Sequence, residues 1–371
     1  MIERTLHRVP ALLLSLALFA PLAPAFAQTD RLPEEVVTTI VLNDSQKQAI
    51  ADFTTAHIAR LSAQEPQTVA KARAAIIEPL GNARVSAATR LEMSRVLADR
   101  VGQLASDPRE IVAINAIVIA GELATAPATQ VLVSALNDQR PAVRYQAAYG
   151  LGRTFESIRT SAAAIRADRV VSLLDTLQSR LASETDGLVV DALVRAIIDA
   201  GRIDKQDFSQ VSAAAVTSLS KGMAASIKRQ GNAVAQGALI DAYIRAGSGI
   251  RDILASQRLP DPAVKSAAEL GADLIAHAVR VVEQKALPTQ DPGVRARYAR
   301  LAAVGETVVL FVGNRLDPTL GFSSRQIGEK LQQGTTGGDA AFAIDARGIG
   351  GANGLGTKPP FSFPGNRFLE R

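Results

Sequence analysis

Three groups of residues in this chain have types and spacings that invite chemistry. The first is "AAFAIDARGIGGANGLGTK", where an apolar run leads into clustered glycines. A phosphate-cradling loop needs Gly-Lys followed by Ser or Thr, then a helix whose free N–H groups face the phosphates. Here Gly356 is followed by Thr357 and Lys358 in the reverse order, and Pro359 and Pro360 block a helix start with free donors. No nucleotide cofactor is therefore expected. The second group is the histidines. His57 falls on an apolar stripe with Ile50, Phe53, Ile58 and Leu61, which marks a core or interface side chain. His277 has Asp273 one helical turn before it, a spacing that could orient a base or begin a metal site. Neither histidine sits in an H-x-x-x-H or H-E-x-x-H pattern, and cysteine is absent, so no metal ligand set is assembled. The third group is the carboxylates. A glycosidase-type pair among them stays open, but there is no tryptophan and there are only four tyrosines to serve as sugar platforms. No serine lies in G-x-S-x-G. The expectation is a protein that is not an enzyme and carries no cofactor and no catalytic residue.

The elements around these residues begin with an export signal. Arg4 and Arg8 precede an apolar run from Ala11 to Ala20, and Ala25-Phe26-Ala27 before Gln28 forms an A-x-A cleavage site. Residues 1–27 are read as a signal peptide cut between Ala27 and Gln28. The mature protein is expected to be periplasmic or secreted, with no transmembrane segment. The formal charge of the 371-residue chain is +5, with acids and bases interleaved. That balance is too mild to imply nucleic acid. Without cysteine, stability must come from burial and not from disulfides.

From Asp44 to about Pro318 the apolar residues recur at three and four, the helical period. Four segments echo one another and close on Gly121, Gly152, Gly201 and Gly247. Each has an alanine five places earlier, namely Ala116, Ala147, Ala196 and Ala242, and a bulky residue two places further on, namely Val118, Tyr149, Ile198 and Ile244. Asp107, Asp138, Asp186 and Asn232 stand near the segment starts. The unit reads as a capping residue, a helix with a small contact residue, and a glycine stop. A second helical pattern follows each of the first three glycines, so each repeat is a helix pair. "PAVR" at Pro141–Arg144 recurs as "PAVK" ending at Lys265 and "PGVR" ending at Arg295, the last two preceded by Asp261 and Asp291.

The stretch "NDQRPAVRYQAAYGLG" resembles HEAT-like repeats of the phycobilisome-lyase type, which favour an Asp, a Val-Arg pair, alanines and Leu-Gly. The resemblance implies an α-solenoid of the HEAT or armadillo sort and is silent about activity, because such solenoids host many roles. The expected fold is all-α: residues 28–43 an extended lead-in or short strand, 44–318 a solenoid of antiparallel helix pairs, and 319–371 a flexible, disordered Gly/Pro-rich tail. Phe342, Phe361, Phe363 and Phe368 are unusual for a purely solvating tail. The functional expectation is an exported interaction scaffold or adaptor that binds another exported or cell-envelope protein. The alternatives are an envelope enzyme or enzyme accessory, and a binder of an anionic envelope polymer. Arg144, Tyr145, Lys265 and Arg295 are the candidate partner contacts. Tyr149, by contrast, is expected to face the core.

Overall fold

Apolar residues spaced three and four apart condense into fifteen α-helices, and among the described residues no β-strand forms. The computed structural model describes residues 31–287, 291–334, 336–351, 353–365 and 367–369. Residues 1–27 and the Ala27–Gln28 junction lie outside them. The helices are α1 (Glu34–Thr38), α2 (Asp44–Ile58), α3 (Pro66–Ile77), α4 (Ala87–Ala105), α5 (Glu110–Leu123), α6 (Ala126–Ala135), α7 (Pro141–Thr160) and α8 (Ala167–Ser183). They continue as α9 (Gly187–Gly201), α10 (Val211–Gln230), α11 (Gly237–Ser256), α12 (Asp261–Glu283), α13 (Pro292–Leu316), α14 (Ile327–Gln332) and α15 (Thr336–Gly350).

Two layers result. Helices α3, α5, α7, α9, α11 and α13 pack side by side in one, and α2, α4, α6, α8, α10 and α12 form the other. This is the all-α solenoid of helix pairs. Its core lies between the layers, where Leu97, Ile117, Leu151, Leu193, Leu219 and Leu274 are fully buried. Each such side chain contributes roughly 1.5–3 kcal/mol by leaving water. Ala116, Ala147, Ala196 and Ala242 are likewise fully buried. No helix among the described residues is long and apolar enough to cross a membrane.

The glycines do different work from the stops expected of them. Gly121, Gly152 and Gly247 lie inside α5, α7 and α11, and only Gly201 ends a helix. A Cβ on Gly121 would stand 2.8 Å from the Cα of Gly150, so these two glycines let α5 and α7 touch backbone to backbone. Helix α5 ends instead at Ala124, which adopts the left-handed conformation with φ 51°.

The capping residues also divide. Asp186 and Asp291 are true N-caps, each accepting from two backbone N–H groups of the first turn. Asp107 and Asp138 instead stand two residues before the N-caps Arg109 and Arg140 and accept from those residues' N–H at 2.8 Å. They also hold the same residues' guanidinium groups. The guanidiniums reach backwards: Arg109 donates to the Ser62 carbonyl at 3.2 Å, and Arg140 to the Asp107 carbonyl at 2.9 Å. This Asp-x-Arg ladder ties each interhelical loop to the one before. Asn232 caps nothing, because α11 begins only at Gly237.

The two ends differ from the extended segments expected of them. The lead-in contains α1, whose Val36 and Val37 are buried and whose last carbonyls accept from Thr89 Oγ1 of α4 at 2.9 and 3.1 Å. The described residues from 319 onward are folded and do not form the flexible tail expected. Helix α14 packs on α13, and α15 packs on α12 and α14. Phe342, Phe361, Phe363 and Phe368 are all buried, and Phe361–Phe363–Phe368 form a run of ring contacts with centroids 5.5–5.6 Å apart. The glycines of this region serve close approach: a Cβ on Gly328 would meet the Ala299 carbonyl oxygen at 2.7 Å.

Candidate binding groove

The outer surface of the odd-numbered layer carries one hollow of about 610 Å³, lined from four successive helices. Its floor is made of small residues. Gly152 of α7 abuts Ala196 of α9, and Gly249 of α11 abuts Ile198 of α9, which lets the helices close ranks below a recessed surface. Side chains one or two turns apart then rise beside that floor: Tyr149, Arg153 and Glu156 from α7, Arg195, Asp199 and Arg202 from α9, Arg245 and Asp252 from α11, and Arg300 from α13.

Most of these charges are held in place. Arg153 forms a fork on Glu122 of α5 at 2.8 and 3.2 Å. Arg195 and Arg245 share Asp191, each at 2.7 Å. Arg202 lies between Asp199 and Asp252 at 3.7 and 3.9 Å. Burial lifts the Asp199 carboxyl to about 6, against the pull of Arg202 and with the Glu156 charge adding to the rise. Among the described residues the Arg300 side chain has no hydrogen bond or ion pair, and it stands exposed at the groove margin.

An apolar border runs beside the charges. Tyr149 is 47% exposed and lines the groove, which corrects its expected place in the core. Tyr145 lies one turn before it and is also exposed. Leu188 stands one turn before Ala192 of the groove, and Ile111 stands three turns before Glu122 on the same side of α5. Both are exposed. Four large apolar or amphipathic side chains from three adjacent helices thus share one face.

The other candidate contacts scatter. Arg144 is buried and forks onto Glu184 at 2.8 and 3.1 Å, while its third nitrogen donates to the Asp138 and Gln139 carbonyls at 2.9 Å. It is a repeat-to-repeat clamp and not a partner contact. Arg295 donates to Asp339 at 2.6 Å and to the Leu331 carbonyl, so it holds the C-terminal helices and is not free for a partner. Lys265 is half-buried on α12, in the other layer from the groove. The three basic positions that echo in sequence therefore form no shared surface. Of the four, Tyr145 alone lies on the groove face.

The histidines are interior. His57 is buried edge-on against Phe53, with ring centroids 4.9 Å apart. His277 is fully buried, with Nδ1 3.2 Å from the Gly231 carbonyl and Nε2 3.1 Å from the Tyr298 hydroxyl. A carbonyl only accepts, so Nδ1 carries the proton and Tyr298 donates to Nε2. The same hydroxyl accepts from the Ala235 N–H at 2.8 Å, which fixes the loop between α10 and α11. Asp273 turns away from His277 to Arg367, at 3.1 and 3.3 Å. Among the described residues no group of three or more His, Asp or Glu side chains converges as a metal site requires.

Sequence reasoning missed the Asp-x-Arg ladder, although "DPR" and "DQR" recur at its two rungs. It also missed Glu184, for which no local signal exists, and the surface role of Tyr149.

No family model matches the chain, and no curated protein does. Two engineered proteins of known crystal structure are similar to it. One is 17% identical, with 69% of this chain and 97% of the other covered at a TM-score of 0.37. The second is also 17% identical, with 90% and 97% covered at a TM-score of 0.27. Both scores are too low to carry an argument, and the fold rests on the helices themselves.

Proposed function

We propose that this protein is an exported interaction scaffold that holds another cell-envelope protein along its odd-numbered helical layer. The observation that supports this reading is the shared exposure of Ile111, Tyr145, Tyr149 and Leu188 beside the charged groove. A tyrosine presents a large, stiff ring with a polar tip, which is why such residues anchor interfaces. The flanking arginines are already paired, so a partner would meet an oriented surface instead of having to order one. Arg300, unpaired among the described residues, offers a site for a carboxylate of that partner.

The test is affinity capture from envelope extract with the wild-type chain and with a Tyr149→Ala/Leu188→Ala double variant. Both side chains are exposed, so the double variant should unfold at nearly the wild-type temperature. Retention of the partner is expected to fall at least about tenfold, since truncating an interface anchor typically costs 2 kcal/mol or more. Equal retention by both proteins would overturn the assignment of this face.

A further inference from the structure

A second hollow, of about 820 Å³, lies where α10, α12 and α15 meet the C-terminal segment. Four cationic side chains from four different elements line it: Lys228, Arg280, Arg347 and Arg367. Two carboxylates line it as well, and both are taken. Glu283 receives the Arg347 fork at 2.7 and 3.0 Å, and Asp273 receives Arg367. Arg367 is also fixed from one side by the Phe368 ring, 4.6 Å from its centroid.

Two positive charges are then left over. Among the described residues the Lys228 side chain has no hydrogen bond or ion pair, and the one hydrogen bond that the Arg280 side chain makes is to the Phe368 carbonyl at 3.2 Å. That bond engages a single nitrogen of a five-donor group. Arg280 is also half-buried, which disfavours its charge and lowers its pKa, although the nearby Asp273 carboxylate opposes the drop. A half-buried guanidinium with unused donors favours an anionic partner. The wall opposite is rigid: the His277–Gly231 and Tyr298–Ala235 bonds hold the loop that brings Asn232 to the hollow.

We propose that this hollow is a binding site for a small dianion of the phosphoryl class, seated between Lys228 and Arg280 with Arg347 and Arg367 as its flanks. Two surplus charges match a dianion. A guanidinium fork matches the spacing of oxygens on a tetrahedral oxyanion. The volume exceeds that of a bare phosphate, so the anion would be one group of a larger molecule. Because Arg367, Phe368 and Leu369 form one wall, binding would also secure the C-terminal segment on α12.

The test uses the full chain and inorganic pyrophosphate as the probe, with sodium chloride at equal ionic strength as reference. Pyrophosphate is expected to raise the unfolding temperature in a saturable way and to give a binding isotherm by titration calorimetry. Lys228→Met should weaken that binding roughly tenfold, the usual effect of losing one charge-assisted bond. Lys221→Met makes the same charge change on the same helix but in a different hollow, and should leave binding unchanged. The absence of a saturable effect, or equal weakening by both variants, would overturn the site. Lys228 is exposed, so its loss should not prevent folding.

Discussion

Replacing Glu184 with alanine should destabilise the fold by about 3–5 kcal/mol, the range for breaking a buried ion pair from one side. The carboxylate is 1% exposed and gathers Arg144 at 2.8 and 3.1 Å, Arg180 at 2.6 and 3.2 Å, and the Thr185 and Asp186 N–H groups at 2.9 Å. Burial alone would raise its pKa. The bonds from Arg144, the Asp186 N–H and Arg180 outweigh that and hold it at about 2. Its folded pKa is depressed, so its contribution is present above the unfolded value and is lost as the pH falls from about 4.5 towards 2. Alanine would strand Arg144, which is itself buried. A Glu184→Leu/Arg144→Met double variant removes both charges and should therefore lose less than the single variant. Urea unfolding of both proteins measures this. A single variant within about 1 kcal/mol of wild type would mean that the clamp does not join these repeats.

Acid should act on His277 with almost equal force. Burial, and next the positive charge of Arg280, lower this imidazole to about 4, while its bond to the Gly231 carbonyl opposes the drop. Between pH 6.5 and 4 the unfolded chain binds the proton and the folded chain does not. Stability therefore falls as the pH falls through that window, by about 3 kcal/mol for this group. Asp199 and Asp273 run the other way. Burial raises each to about 6, so what they contribute is present below about 3.8 and is lost as the pH rises through 6. The whole-protein curve sums these opposing slopes, so the histidine must be isolated by difference. The stability gap between wild type and His277→Gln, measured by urea unfolding, should narrow by about 3 kcal/mol from pH 7 to pH 4. A gap that stays constant would contradict a neutral, buried His277 donating to the Gly231 carbonyl.

The repeat architecture was legible because its causes are local. Helical periodicity, Asp-led starts and fully buried alanines all sit within single segments. The faces were harder to read. The repeat register holds, since Ala116, Ala147, Ala196 and Ala242 are all fully buried, and Tyr149, Ile198 and Ile244 line one groove. Spacing alone does not show that this shared position lies at the margin of the layer, where the isoleucines are covered and the longer tyrosine ring stands out. A glycine within a helix and a glycine that ends one also look alike in sequence, since both sit among small residues.

The C-terminal region was misread for a related reason. Its glycine content suggested solvation, yet these glycines allow backbones to touch, and the four phenylalanines supply the burial that folds the segment. Arg144 and Arg295 were misplaced because their partners, Glu184 and Asp339, lie some forty residues further along the chain. Nothing in local spacing can reveal such pairs. Beside the groove, Tyr145 was readable from its hydroxyl, whereas Leu188 and Ile111 look like core residues until the helix faces are known.

The most direct test of the proposed role is site-specific photocrosslinking in cells. A photoreactive side chain in place of Tyr149 reports on the groove, and one in place of Lys221, exposed on α10, reports on the opposite layer. The account predicts a discrete crosslinked species from position 149 and none from position 221. Equal crosslinking from both positions, or a species from position 221 alone, would contradict the claim that the odd-numbered layer is the binding face.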